Sequence, residues 1–287
     1  MKLLVTDIDG TLTSENSVPG PVRKACERLR KAGWCFMVAT GRIWASARPF
    51  AEAIGSDLPS IVYDGARIVA KAGGTFCKDW RLPRDTAEEV LSLCWGSSLV
   101  LQAYGDEEVS CRPEDDVTRG FFERLGVKVD PHLTSPRLSY DPFRIILYGD
   151  PKEARDVGRK VRERMGSRLE VTLAGEGFLD ILPRGVSKGA ALKTFREESG
   201  MDVDFVVAAG DHLNDLDLLC GADLAVTFRD APPEVVGVAH LVLPPASSMG
   251  FLDLCRFIEK RGSESFLEKE GMIGRRGYPL YLGVENS

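Results

Sequence analysis

The stretch Leu3-Leu4-Val5-Thr6-Asp7-Ile8-Asp9-Gly10-Thr11-Leu12 decides how this chain is read. A short apolar run ends in two acids at positions i and i+2, and Gly10 follows at once. This pattern predicts a buried strand that carries two carboxylates to its C-terminal end, where open α/β sheets bind their ligands. Two acids on such a strand end repel each other and resist desolvation. A bound cation relieves the repulsion, and a phosphate group gives both acids a task. The pair therefore points to metal-assisted phosphoryl chemistry.

Outward from this strand, helix and strand patterns alternate. Val22, Ala25, Cys26 and Leu29 share one face of a helix over 21–32, and Trp34 to Ala39 reads as a second buried strand. A helix over 43–54 and a short strand over 60–63 follow, so a parallel sheet with right-handed crossovers is expected. Near residue 80 the texture changes. Leu99–Tyr104 and Glu108–Arg112 read as a hairpin, followed by a helix near 116–125 and a strand over 143–148. An amphipathic helix at 152–165 and strands at 169–173 and 178–182 complete this stretch. The parallel-sheet pattern resumes with a helix from Ser187 and an apolar strand at 204–209, then short strands at 224–226 and 240–243 and a helix at 251–260. The expected fold class is α/β: a Rossmann-like parallel-sheet core over 1–81 and 184–261 with an inserted α+β cap domain at 82–183. Residues 262–287 are expected to form a mobile or surface-lying C-terminal extension.

Composition narrows the function classes. A net charge of −6 over 287 residues argues against a generic nucleic-acid binder. No apolar run reaches the length of a membrane span, and the amino end meets Asp7 too soon for a signal-peptide core. The seven cysteines are scattered without a Cys-x-x-Cys pair, which signals neither structural zinc nor a disulfide framework. A reducing cytoplasm is the expected location, with the protein a monomer or homodimer.

Four separated motifs fit one mechanism: Asp7-x-Asp9-Gly10-Thr11, Ala39-Thr40-Gly41-Arg42, Ser187-Lys188-Gly189, and Gly210-Asp211-His212-Leu213-Asn214-Asp215. Together they resemble the haloacid dehalogenase-like phosphatases, most closely the Cof-type branch. Leu179-Asp180-Ile181-Leu182-Pro183 running into Gly185-Val186-Ser187-Lys188-Gly189 is also typical of that branch, as is a large cap inserted between the second and third motifs.

The resemblance implies that Asp7 is a nucleophile forming an aspartyl-phosphate and that Asp9 is the acid and base. It implies Mg2+ held by the Asp7 carboxylate, the Asp9 carbonyl and the Asp211 carboxylate, with Asp215 touching the ion or standing behind it. Thr40 and Lys188 would grip the phosphate, with Asn214 in support and Gly41 allowing close backbone approach. Asp9, Asp211 and Asp215 have a plainer reading as turn or helix-capping acids. Arg42 reads as a surface ion pair or a substrate contact, with the ion pair preferred. Where the branch commonly has Asn-Gly after the third strand, this chain has Asp64-Gly65. That acid either tunes the site or occupies a turn that tolerates both residues, and the turn is the simpler reading. In the cap, Arg112, Arg119, Arg124, Arg137 and Arg144 are candidate contacts for a substrate carboxylate or second phosphate, most of them better read as surface charges. The expected activity is Mg-dependent hydrolysis of a small phosphorylated metabolite of sugar phosphate or phosphoglycolate type. A phosphomutase and a non-catalytic phospho-metabolite sensor are the alternatives.

Overall fold

A computed structural model describes residues 1–13, 15–70, 73–106, 108–112, 119–120, 122–123, 127–130, 133–173, 177–261 and 280–281. The chain forms two compact units, Met1–Cys77 with Ser187–Ser287, and Lys78–Val186.

The first unit begins with β1 (Lys2–Thr6), α1 (Gly20–Lys31), β2 (Trp34–Val38), α2 (Trp44–Ala53), β3 (Ser60–Val62) and β4 (Arg67–Val69). The second unit holds β5 (Lys78–Asp79), α3 (Arg84–Cys94), β6 (Val100–Tyr104), β7 (Glu108–Arg112), β8 (Lys128–Asp130), β9 (Arg144–Tyr148), α4 (Pro151–Met165), β10 (Leu169–Leu173) and β11 (Phe178–Pro183). The chain then returns to the first unit with α5 (Lys188–Glu198), β12 (Phe205–Ala209), α6 (Leu216–Cys220), β13 (Leu224–Phe228), α7 (Pro233–Val236), β14 (Leu241–Leu243), α8 (Gly250–Arg261) and β15 (Leu280–Tyr281).

The sheet of the first unit has the order β15-β14-β13-β12-β1-β2, and every pairing in it is parallel. Parallel strands covered on both faces need continuous apolar runs. β12 and β13 meet that need, being buried at every position. Lys2 pairs with both Phe205 and Trp34, and Thr6 with both Ala209 and Val38. This shared register aligns the C-terminal ends of three adjacent strands, which decides where the site forms.

In the second unit the order is β10-β11-β9-β6-β7-β8, antiparallel except between β7 and β8. One sheet face, with Leu101, Ala103, Ile145, Leu147, Leu179 and Ile181, packs on α3 and α4 through Val90, Leu91, Ala154 and Val161. The helix expected near 116–125 lies mostly outside the described residues.

Two residues of the C-terminal extension are described. Leu280–Tyr281 pair with Leu241–Val242 as the outer strand of the parallel sheet, so the extension supplies regular structure there. An open strand edge presents unpaired N–H and C=O groups that another strand satisfies. The rest of 262–287 lies outside the described residues. Among the described residues no helix is long and apolar enough to cross a membrane.

Candidate active site

Three of the four predicted motifs begin where a strand of the parallel sheet stops, and the fourth, at Ser187, opens a helix. Asp7 follows β1, Thr40 lies two residues past β2, and Asp211 lies two residues past β12. The ladder hydrogen bonds continue just beyond the strands: the Asp7 N–H donates to the Ala209 carbonyl at 3.0 Å and the Ala39 N–H to the Thr6 carbonyl at 2.9 Å. Side chains that leave these aligned ends share one region.

Lys188 opens α5 behind the cap residue Ser187, whose Oγ accepts the Ala190 N–H at 3.1 Å. The Lys188 side chain is only 1% exposed, so its ammonium requires partners. It donates to Asp7 Oδ1 at 2.9 Å and to Asp215 Oδ1 at 2.7 Å, and Asp64 Oδ1 lies 3.9 Å away. Burial opposes the charge on Lys188, but Asp215, Asp7 and Asp64 outweigh burial and raise its pKa.

Asp7, Asp211 and Asp215 place one carboxylate oxygen each within 4.8 Å of one another. Burial raises the pKa of Asp7 well above the ordinary value, and the charges of Asp215 and Asp211 add to this against the pull of Lys188. Asp211 is raised to about 6, mainly by burial, while the 2.6 Å hydrogen bond from Thr11 Oγ1 partly offsets the rise. These are hard oxygen donors with excess negative charge, a set that suits a small divalent cation such as Mg2+. Asp215 differs from the other two. Its Oδ1 accepts from Lys188, and its Oδ2 accepts the N–H groups of Asp211 and His212, both at 3.1 Å. It fixes the Asp211 loop and the lysine, so the capping role holds and a pairing with Lys188 is added to it.

Thr40 is buried, and its Oγ1 accepts the Arg42 N–H at 3.2 Å. Its hydroxyl proton meets no acceptor among the described residues and is available to a ligand. Gly41 is needed for close approach: a Cβ there would lie 2.7 Å from Asp64 Oδ2. Asn214 donates its Nδ2 to Asp64 Oδ1 at 2.7 Å. Asp9, by contrast, is 59% exposed and held by Arg42, whose Nε lies 2.7 Å from Asp9 Oδ2. The Arg42 guanidinium also stacks 4.5 Å from the Phe50 ring. Arg42 thus forms the preferred ion pair, but with a site acid instead of a remote surface group.

Asp64 and Arg42, for which the sequence favours a turn and a surface pair, and Thr11, to which it gives no role, all join this cluster through Lys188, Asp9 and Asp211 respectively. Of the cap arginines, Arg144 forms a buried pair with Asp180 at 3.0 Å, Arg112 donates to the Trp95 carbonyl at 2.6 Å, and Arg137 pairs with Glu88 at 2.6 Å. Arg124 lies outside the described residues.

Comparison with known proteins places the chain among known families. Residues 4–254 match the profile of the family described as haloacid dehalogenase-like hydrolase. A phosphoglycolate phosphatase of Methanoculleus marisnigri is 27% identical over 255 residues, covering 88% of this chain and 94% of the relative. An HMP-PP phosphatase of Cronobacter sakazakii is 26% identical over 238 residues, covering 82% of this chain and 87% of the relative. A haloacid dehalogenase-like hydrolase structure from Bacteroides thetaiotaomicron superposes with a TM-score of 0.76 at 22% identity, covering 90% of this chain and 99% of that one.

Proposed function

Because the chain belongs to the haloacid dehalogenase-like hydrolase family, we propose that it is a phosphatase that hydrolyses a small phosphorylated metabolite through an aspartyl-phosphate on Asp7. The unit of Met1–Cys77 and Ser187–Ser287 is the catalytic core, and Lys78–Val186 is its cap. The observation that carries this reading is the 2.9 Å contact of Lys188 Nζ with Asp7 Oδ1 beside the Asp211 carboxylate. A nucleophilic carboxylate, a phosphate-holding cation and a cation-binding acid then occupy one strand-end cluster.

In the first step an Asp7 oxygen bonds to phosphorus as the ester P–O bond breaks, and Asp9 gives its proton to the departing alkoxide. In the second step Asp9 takes a proton from water, the water oxygen bonds to phosphorus, and the Asp7–phosphorus link breaks. Lys188 and the Thr40 hydroxyl hold the non-transferring oxygens, where charge must be stabilised in a loose phosphoryl transition state. The carboxylates of Asp7 and Asp211 and the Asp9 carbonyl would hold Mg2+, which when bound supplies neutralising charge to the phosphate oxygens. Arg42 steadies Asp9 between turnovers.

The substrate is a small phosphate ester, with phosphoglycolate the first compound to test, in keeping with the names of the relatives. The cytoplasm suits the seven cysteines, all of them free thiols. The test is phosphate release from an aryl phosphate and a panel of phosphorylated metabolites with Mg2+, alongside Asp7→Asn. Release by the wild type that disappears in a folded Asp7→Asn variant supports the reading. Equal activity in both proteins removes Asp7 from the chemistry. Phosphate that moves between substrate positions without release would make the protein a mutase.

A further inference from the structure

Asp64 follows β3 in a conformation that costs free energy. Tyr63 and Asp64 have φ of 53° and 52°, and Gly65 follows at 101°. Asp enters this left-handed region occasionally, whereas a bulky residue such as Tyr63 is an outlier there. Strain of this kind persists only where the surroundings enforce it. Here the Asp64 N–H donates to the Thr40 carbonyl and the Tyr63 N–H to the Arg42 carbonyl, both at 3.1 Å. On the other side, a Cβ on Gly65 would come within 2.1 Å of the Ser187 carbonyl oxygen. The strained turn is wedged between two phosphate-site segments, and it directs a buried carboxylate at Asn214 and Lys188.

Two consequences follow for an anion bound beside Lys188. The first concerns charge. One ammonium faces the three carboxylates of Asp7, Asp215 and Asp64, so little of its field remains for a phosphate. The second concerns hydrogen bonding. A carboxylate only accepts, so Asn214 must turn its Nδ2 toward Asp64. Its Oδ1 is left buried without a hydrogen-bond partner among the described residues. The amide therefore offers an approaching ligand an acceptor, which suits a hydroxyl and not a phosphate oxygen.

We propose that Asp64 is a specificity-determining residue that weakens the site's hold on the phosphate dianion, so that inorganic phosphate departs readily and substrate affinity comes from the rest of the ester. The proposal rests on the phosphatase reading above. Asparagine in its place would keep the shape, remove the charge and add a donor.

The experiment measures inhibition by inorganic phosphate, and its direct binding by calorimetry, in the Mg2+-loaded wild type, Asp64→Asn and Asp64→Gly. Both replacements accept the left-handed backbone. The expected result is a fall of roughly tenfold or more in the phosphate Ki of both variants, from loss of a unit charge within a few ångströms of the anion. The kcat should not rise. A purely structural role for Asp64 predicts weaker binding, the opposite sign. An unchanged or higher Ki in Asp64→Asn overturns the proposal, and if that variant does not fold, Asp64→Gly decides in the same way. Turnover by the wild type alongside such a result leaves the phosphatase reading intact, whereas a wild type that neither releases nor binds phosphate removes both.

Discussion

Asp211→Asn should stabilise the protein when no divalent ion is present, although it removes a residue assigned to the site. The carboxyl of Asp211 has its pKa raised from 3.8 to about 6, chiefly by burial. A raised carboxyl pKa means that the fold favours the neutral form. The group's contribution to stability is therefore full below pH 3.8 and is lost as the pH climbs through about 6. That interval corresponds to about 3 kcal/mol, carried as a penalty by the ion-free wild type at pH 8. Asparagine escapes the penalty and still offers Oδ1 to the Thr11 hydroxyl, which lies 2.6 Å from Asp211 Oδ1. Urea unfolding in chelator should show Asp211→Asn ahead by up to about 3 kcal/mol at pH 8, with the gap closing near pH 4. Magnesium should reverse the order once it reaches about a thousand times its Kd, where binding adds about 4.1 kcal/mol to the wild type alone. A variant no more stable than wild type at pH 8, or a gap independent of pH, would refute the account of Asp211 as an electrostatic burden relieved by a cation.

Other substitutions probe the same network. Lys188→Met should cost about 3–5 kcal/mol, because it leaves the buried carboxylates of Asp7 and Asp215 without their cation; a loss under about 1 kcal/mol by denaturant titration would contradict the pairing. Gly65→Ala should lose about 2–4 kcal/mol from strain and overpacking, since its φ is +101° and a Cβ would lie 2.1 Å from the Ser187 carbonyl. The readout is the melting temperature. Asp9→Asn breaks an exposed pair with Arg42, so stability should change by less than about 1 kcal/mol. Its kcat should fall far more on alkyl than on aryl phosphates, and equal losses on both would argue against Asp9 as the proton donor.

The parallel core was legible because β1, β2 and β12 are apolar runs that each end at a polar motif. Asp7, Thr40 and Asp211 stand at those junctions, where the ends of parallel strands gather on one side, while Lys188 opens α5 behind its serine cap. Lateral neighbours were harder to read. Asp64 and Asn214 are 150 positions apart, and their hydrogen bond depends on left-handed backbone at Tyr63 and Asp64 that neither residue type announces. Arg42 follows Gly41 in the second motif, yet only the orientation of the loop reveals that its partner is Asp9. β15 was missed because a two-residue strand has too little periodicity to register. Apolar Leu280, Tyr281 and Leu282 were its only cue.

The position of β1 between β2 and β12 has a consequence for biosynthesis. β1 has one lateral neighbour 32 residues later in the chain and the other 203 residues later, as the pairings of Lys2 with Trp34 and Phe205 require. At translation speeds of about 5–20 residues per second, β1 waits roughly 10–40 seconds for its later partner. During that interval the contiguous segment Lys78–Val186 has emerged whole and can organise itself. Nascent chains arrested before residue 205 should then be captured by chaperones through an uncovered strand edge, and release should coincide with emergence of β12.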